Sequence, residues 1–377
     1  MDINTTCVHG AFDKNNTTLS LAVPIYQSAT FSHPTFGQSS GYDYSRLSNP
    51  TRDSLERLVA SLENGKASLA FSSGMAAIAA LMELFQPNDH IVACNDLYGG
   101  SIRLFKNISM KNGLDFDFND FLDLDEVEKL IRPETKAFFV ETPTNPMMNV
   151  CDIQAIGKIC KKHNILLIVD NTFLTPILIN PLDLGADIVI HSGTKFLCGH
   201  NDVLAGFLVL NDEKLIEKLK YIHVTVGNCL APFDCYLVIR GIKTLSIRLK
   251  KQEENAMIIA EYLSKHPKVK KVYYNGLKDN EGYEISKKQA RGFGSMLSFR
   301  TNSYETTKAF LNGTNIILFA ESLGGTETLV TFPMTQTHAD LSNEERTKKG
   351  IDETLLRLSV GIEDVNDLIK DLDEALK

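Results

Sequence analysis

The chain has 377 residues, 43% of them hydrophobic and 23% charged, with a formal net charge of −8. That length exceeds one minimal domain and can bury a large core, so one large and one smaller domain is the natural division. The acidic balance and the scattered lysines and arginines argue against nucleic acid or an anionic membrane surface as partner.

The opening MDINTTCVHG lacks the basic start and apolar stretch of a secretory leader. No segment stays apolar long enough to span a bilayer, so the cytoplasm is the expected location. Residues 1–45, rich in Thr, Asn and Ser, show no sustained period and read as an extended arm for oligomer contacts. Short apolar runs then alternate with amphipathic stretches: SLAFSS at 68–73, HIVACN at 90–95, KAFFVET at 136–142, ILLIVDN at 165–171 and DIVIHSG at 187–193. These read as buried parallel strands, with helices over 75–86 and 152–163 between them, the pattern of an α/β fold. In such a sheet the functional loops gather at the carboxyl ends of the strands, so the residues after each run are expected to converge. A helical stretch over 234–264 leads to further strands at 295–300 and 328–333, and a helix over 363–376 closes the chain. The expected division is the arm at 1–45, a large domain at 46–235 and a smaller α+β domain at 236–377.

The seven cysteines are dispersed without CxxC spacing, and the nine histidines show no ligand spacing, so no metal site and no disulfide framework are expected.

Three segments carry chemistry. SSGMAAI (72–78) closes a strand and opens a helix, which places Gly74 and the following backbone N–H groups where an anion or simple capping fits. VDNTF (169–173) ends an apolar strand on Asp170, a costly place for a carboxylate unless it caps the next segment or meets a positive partner such as a pyridinium nitrogen. HSGTK (191–195) follows the next strand with Ser192, Thr194 and Lys195. A single lysine is nearly always a solvated surface charge. Here the amine stands beside hydroxyls that suit a phosphate, one βα unit from Asp170. Those are the parts that a pyridoxal-phosphate (PLP) imine needs.

YDYSRLSNPTR, LENGKASLAFSSGMAAI, LYGG, ETPTNP, VDNTF, HSGTKF, GHNDVLAG, RGIKTL, ESLGG and LRLSVGIED follow one another over about residues 7 to 375. In that order they resemble the Cys/Met-metabolism PLP enzymes, a family of cystathionine synthases and lyases, methionine γ-lyases and homoserine-ester sulfhydrylases. The resemblance implies an aspartate-aminotransferase-like (fold type I) large domain with a mostly parallel sheet and a smaller C-terminal α+β domain. It makes Lys195 the Schiff-base lysine and proton shuttle, Asp170 the partner of the pyridinium nitrogen, and Tyr98 the aromatic that stacks on the ring and aids deprotonation. Gly74, Met75, Ser192 and Thr194 would hold the phosphate, and Asn145 would lie near the cofactor hydroxyl. Tyr44 and Arg46 resemble a pair donated to the phosphate of a neighbouring subunit, in a homo-oligomer expected to be a tetramer built from dimers. Arg357 would clamp the substrate α-carboxylate, with Ser322 beside it and Glu321 facing the far end of a small amino-acid substrate.

Within the family, Gly100 stands where methionine γ-lyases place a cysteine, and the chain has no Trp, which a subtype of β-lyase carries near Ser322. Glu321 favours γ-chemistry with an amine-bearing partner. Phe196, Cys198 and TQTHAD (335–340) depart from the commoner pattern. The expected activity is γ-replacement of an O-acyl-homoserine by cysteine, as in cystathionine γ-synthase. Cystathionine γ-lyase or β-lyase activity follows as the alternative, then sulfhydrylase activity, and last a non-enzymatic binding role.

Overall fold

Burial on both faces explains why the apolar runs become strands: Ile91, Val92, Phe138, Phe139, Leu167, Ile168, Val189 and Ile190 are all fully inaccessible. The structure, a computed structural model, describes residues 1–13, 18–339 and 342–377. Strands Ala67–Phe71 (β1), His90–Cys94 (β2), Asp115–Asn119 (β3), Thr135–Glu141 (β4), Leu166–Asp170 (β5), Ile188–Ser192 (β6) and Gly206–Leu210 (β7) form one seven-stranded sheet. Its order is β1-β7-β6-β5-β4-β2-β3. The order reverses between β2 and β4, the place where an open α/β sheet leaves a crevice beyond its strand ends.

Two strands escape the sequence pattern. β3 reads DFDFN, alternating acid and phenylalanine, and lies at the sheet edge. β7 is fully buried and runs antiparallel to both β6 and β1. The sheet is therefore mixed but mostly parallel, as the resemblance implies, with β7 alone running against its neighbours.

The helices over Gly74–Met82 and Ile153–His163 fall where expected, each started by a side-chain cap: Ser73 accepts from the Ala76 N–H and Asp152 from the Ala155 N–H. The stretch over 234–264 is two helices, Pro232–Ile242 and Leu245–Leu263. Arg248 in the second of these donates to the carbonyls of Phe196 (3.0 Å) and Gly241 (2.9 Å). The break thus lets a buried guanidinium pin the loop that follows Lys195. The amino-terminal arm holds a short helix, Ile3–His9, capped by Asp2 and burying Thr6 and Cys7. Beyond residue 18 the arm is mostly exposed, and residues 14–17 lie outside the described part.

Strands Val269–Tyr273 (β8), Met296–Thr301 (β9), Leu318–Phe319 (β10), Leu329–Thr331 (β11) and Leu355–Ser359 (β12) form a second sheet in the order β10-β11-β12-β9-β8. Leu297, Phe299, Phe310, Leu356, Leu358, Leu368 and Leu372 pack as its own core, the last two from the closing helix Val365–Ala375. Side chains alternate along a strand, so Arg357 leaves the face that Leu356 and Leu358 share. No helix among the described residues is long and apolar enough to cross a membrane.

Candidate active site

The carboxyl ends of β2, β4, β5 and β6, the turn after β10 and Arg357 of the central strand β12 enclose a cavity of about 340 Å³. Gly74, Met75, Tyr98, Asn145, Asp170, Ser192, Thr194, Lys195, Glu321, Ser322 and Arg357 all line it. Eleven of the thirteen residues singled out from sequence are thereby brought together, although they lie up to 283 positions apart in the chain.

Lys195 Nζ donates to Ser322 Oγ at 2.7 Å. Burial and the nearby Arg357 guanidinium lower its pKa to about 8, with Glu321 pulling the other way. The amine is therefore far easier to deprotonate than an exposed lysine. Ser322 holds this position with a φ of +85°, an uncommon state for a residue with a Cβ. Its carbonyl accepts from Arg357 Nη2 at 2.8 Å, so the same turn serves the amine and the guanidinium.

Arg357 is 1% exposed. Its Nη1 donates to Asn145 Oδ1 at 2.8 Å and its Nη2 also to Thr331 Oγ1 at 3.0 Å, while Nε has no partner. Burial brings its pKa down to about 10, opposed by Glu141, Tyr98 and Glu321. No carboxylate forms an ion pair with it among the described residues. A buried, oriented guanidinium that is held by neutral acceptors keeps a full positive charge to offer an incoming anion.

Asp170 Oδ1 accepts from the Thr172 N–H at 3.0 Å and the Thr172 hydroxyl at 2.5 Å. Burial raises its pKa, and those two bonds and the neighbouring His191 act against that rise. Behind it, His191 Nε2 meets Glu63 Oε1 at 2.6 Å, both fully buried, and Asn171 donates to the same oxygen at 2.7 Å. The strand ends that carry Asp170 and Ser192 thus rest on a polar network inside the core.

The phosphate-sized corner is built from close approaches. A Cβ on Gly74 would sit 3.2 Å from the Ser192 Cβ, and one on Gly206 would come within 2.1 Å of the Ser73 carbonyl oxygen. Only glycine lets β7 and the helix start close on each other there. Thr194 Oγ1 accepts from the Ala205 N–H at 3.0 Å and is fixed beside that helix end.

Tyr98 stands at the rim and is 44% exposed. Its backbone N–H donates to Glu141 Oε2 at 3.0 Å. Gly100 leaves room for the ring, since a Cβ there would come within 2.5 Å of Tyr98 Cε1.

Tyr44 and Arg46 are not in the cavity. Arg46 lies over the Tyr44 ring at 5.6 Å and donates to the Val224 carbonyl, and Tyr44 is 45% exposed. Thr337 of TQTHAD does line the cavity, while Asp340 of that segment lies outside the described residues. Sequence reasoning missed Glu141. Its signal was available: like Asp170, it is an acid ending an otherwise apolar strand.

The family described as Cys/Met metabolism PLP-dependent enzyme matches residues 4–377. Over 377 residues the chain is 46% identical to the cystathionine gamma-lyase of Bacillus subtilis (strain 168), covering 100% of each. It is 48% identical over 358 residues to the cystathionine gamma-synthase of Haemophilus influenzae, covering 94% of this chain and 92% of that one. Among solved structures, a cystathionine gamma-lyase from Lactobacillus plantarum complexed with L-serine superposes with a TM-score of 0.97 at 43% identity, covering 100% of this chain and 98% of that one.

Proposed function

The chain belongs to the Cys/Met-metabolism PLP-dependent enzymes, and on that premise we propose that it is a γ-replacing transferase that joins an O-acyl-homoserine to cysteine, as a cystathionine γ-synthase does. It is a trans-sulfuration enzyme of fold type I, its cofactor is PLP, and its family acts on small amino acids.

The residues present suit that cofactor. The gap that a Gly74 Cβ would fill leaves a cradle at a helix N-terminus for the phosphate, completed by Met75, Ser192 and Thr194. Asp170 would face the ring nitrogen, Tyr98 would stack on the ring, and Asn145 would lie near its hydroxyl. Lys195 Nζ would hold the aldehyde. Once bound, PLP supplies an electron-poor ring that stabilises negative charge at the substrate α-carbon. Arg357 would clamp the substrate carboxylate and so aim the α-hydrogen at Lys195. Displaced by the substrate amine, Lys195 would move protons at the α- and β-carbons, eased by its lowered pKa. The acyloxy group leaves the γ-carbon as a carboxylate, the cysteine sulfur takes its place, and the thiol proton is released.

The observation that carries the synthase reading is Glu321, which lines the cavity with Lys195 and Arg357 and can receive the ammonium of a second amino acid. Cleavage of cystathionine at the γ-carbon is the second reading, favoured by the full-length likeness to the B. subtilis γ-lyase. Tyr44 and Arg46 would complete the phosphate site of a neighbouring subunit, in a tetramer built from such dimers acting in the cytoplasm. Turnover of an O-acyl-homoserine with cysteine is expected to exceed turnover of cystathionine alone. Faster release of 2-oxobutyrate from cystathionine would replace the first reading with the second.

A further inference from the structure

Glu141 is a group to which neither the sequence motifs nor the reaction above gives a task. It ends β4, is 6% exposed and lines the active cavity. Two of its relations are geometric. Its Oε2 accepts the Tyr98 backbone N–H at 3.0 Å, fixing the turn that presents the Tyr98 ring. On the sheet it is the register partner of Asp170, so two carboxyl groups end adjacent parallel strands on the cofactor side. A third relation is electrostatic: Glu141 is the foremost negative neighbour of the Arg357 guanidinium.

Other charged or titratable groups face it from every side. Asp96 and Tyr98 follow β2, Asp170 ends β5, and Lys195 follows β6. Arg357 comes from β12, while Glu321 and the buried His338 stand near that guanidinium. Glu141 thus stands between two other buried acids, Asp96 and Asp170, with Arg357 as its cationic neighbour. Of these acids Asp170 needs its charge for the ring nitrogen. A second full negative charge one strand away is disfavoured by burial and by repulsion. An ionised Glu141 would also neutralise Arg357, the group meant for the substrate. Desolvation and the Asp170 and Asp96 charges push the Glu141 carboxyl toward its protonated form, the Tyr98 N–H bond and Arg357 opposing.

We propose that Glu141 is a positioning residue that works as a neutral carboxylic acid, holding Tyr98 through its backbone while leaving the Arg357 charge free for the substrate carboxylate. The role rests on the PLP reading and on Arg357 as the carboxylate clamp. Loss of the Glu141 proton at high pH places a negative charge beside Arg357 and weakens carboxylate binding. A carboxylate ligand on Arg357 in turn favours the protonated acid.

The test uses the holoenzyme and propionate, a carboxylate without a titrating amine, as competitive ligand. In the parent protein its inhibition constant is expected to weaken by about fivefold between about pH 6 and about pH 9. Glu141→Gln keeps an oxygen for the Tyr98 N–H and cannot ionise. It is expected to flatten that slope and lower kcat only a few-fold. Glu141→Ala, which also drops the Tyr98 bond, is expected to lower kcat by about tenfold or more while the yellow cofactor band remains. A Gln variant with the parent pH slope, or one as impaired in kcat as the Ala variant, overturns the proposal. Absence of the cofactor band from the parent protein overturns the PLP reading instead, and failure of Arg357→Ala to weaken propionate overturns the clamp.

Discussion

The cavity and the arm hold functional candidates in opposite physical states. In the cavity Lys195, Arg357, Asp170 and Glu141 are desolvated, and each is held by hydrogen bonds from within the same chain. At the end of the arm, Tyr44 and the adjoining Arg46 are exposed and make a ring contact and one carbonyl bond across the surface. Burial tunes the first set, whereas the second is left to solvent. The comparison teaches that the electrostatics of the cavity are set within one chain, and on the proposed reading Tyr44 and Arg46 would gain their environment from a neighbouring subunit.

The largest effect that sharpens this contrast is at Lys195. Lys195→Ala is expected to cut turnover by about a thousandfold or more and to abolish the covalent adduct formed on borohydride reduction. An adduct on another lysine would break the assignment. The same burial predicts an opposite effect on the cofactor-free protein. Because the folded pKa of about 8 lies below the ordinary lysine value of 10.5, the charged amine costs stability below pH 8, and the cost fades as pH rises toward 10.5. Lys195→Met is therefore expected to stabilise cofactor-free protein at neutral pH by about 3 kcal/mol, with the gain vanishing in alkaline solution. Denaturant titrations at two pH values check the sign.

Next in size is Arg357. Arg357→Ala is expected to raise the substrate KM by roughly a hundredfold with the cofactor retained, as fits loss of a buried bidentate carboxylate partner. A cofactor-free variant would show that the guanidinium supports the fold instead. Arg46→Ala is expected to weaken cofactor binding by about tenfold, and mixing it with Lys195→Ala should recover activity through hybrid sites. No recovery despite confirmed subunit exchange would confine Arg46 to its own chain. The smallest change is Gly100→Ala, whose Cβ must displace the Tyr98 ring. About twofold to fivefold lower kcat is expected, read with the cofactor absorbance unchanged.

The α/β class and the large-domain side of the cavity were legible because buried strands carry continuous apolar runs, and Gly74, Tyr98, Asn145, Asp170 and Lys195 end or follow such runs. Asp170 stood out for the same reason that Glu141 should have: a carboxylate ending an apolar strand needs an explanation. β3 was missed because an edge strand with one wet face alternates Asp with Phe, whereas β7, the run GFLVL ahead of Asn211 and Asp212, was legible and overlooked. The split of the 234–264 helix was not legible. Arg248 bridges the break, reaching the Gly241 carbonyl seven residues back and the Phe196 carbonyl 52 residues away.

By itself the sequence determined the family, the cofactor and the chemical identity of the groups at the site, because motif order and residue type are local properties of the chain. Only the tertiary structure decided their state. Folding places Arg357 among neutral acceptors, sets Lys195 against Ser322, and brings Glu141 beside Asp170 and the Tyr98 backbone. Charge and proton affinity follow from burial and from neighbours distant in the chain, which no segment read alone contains.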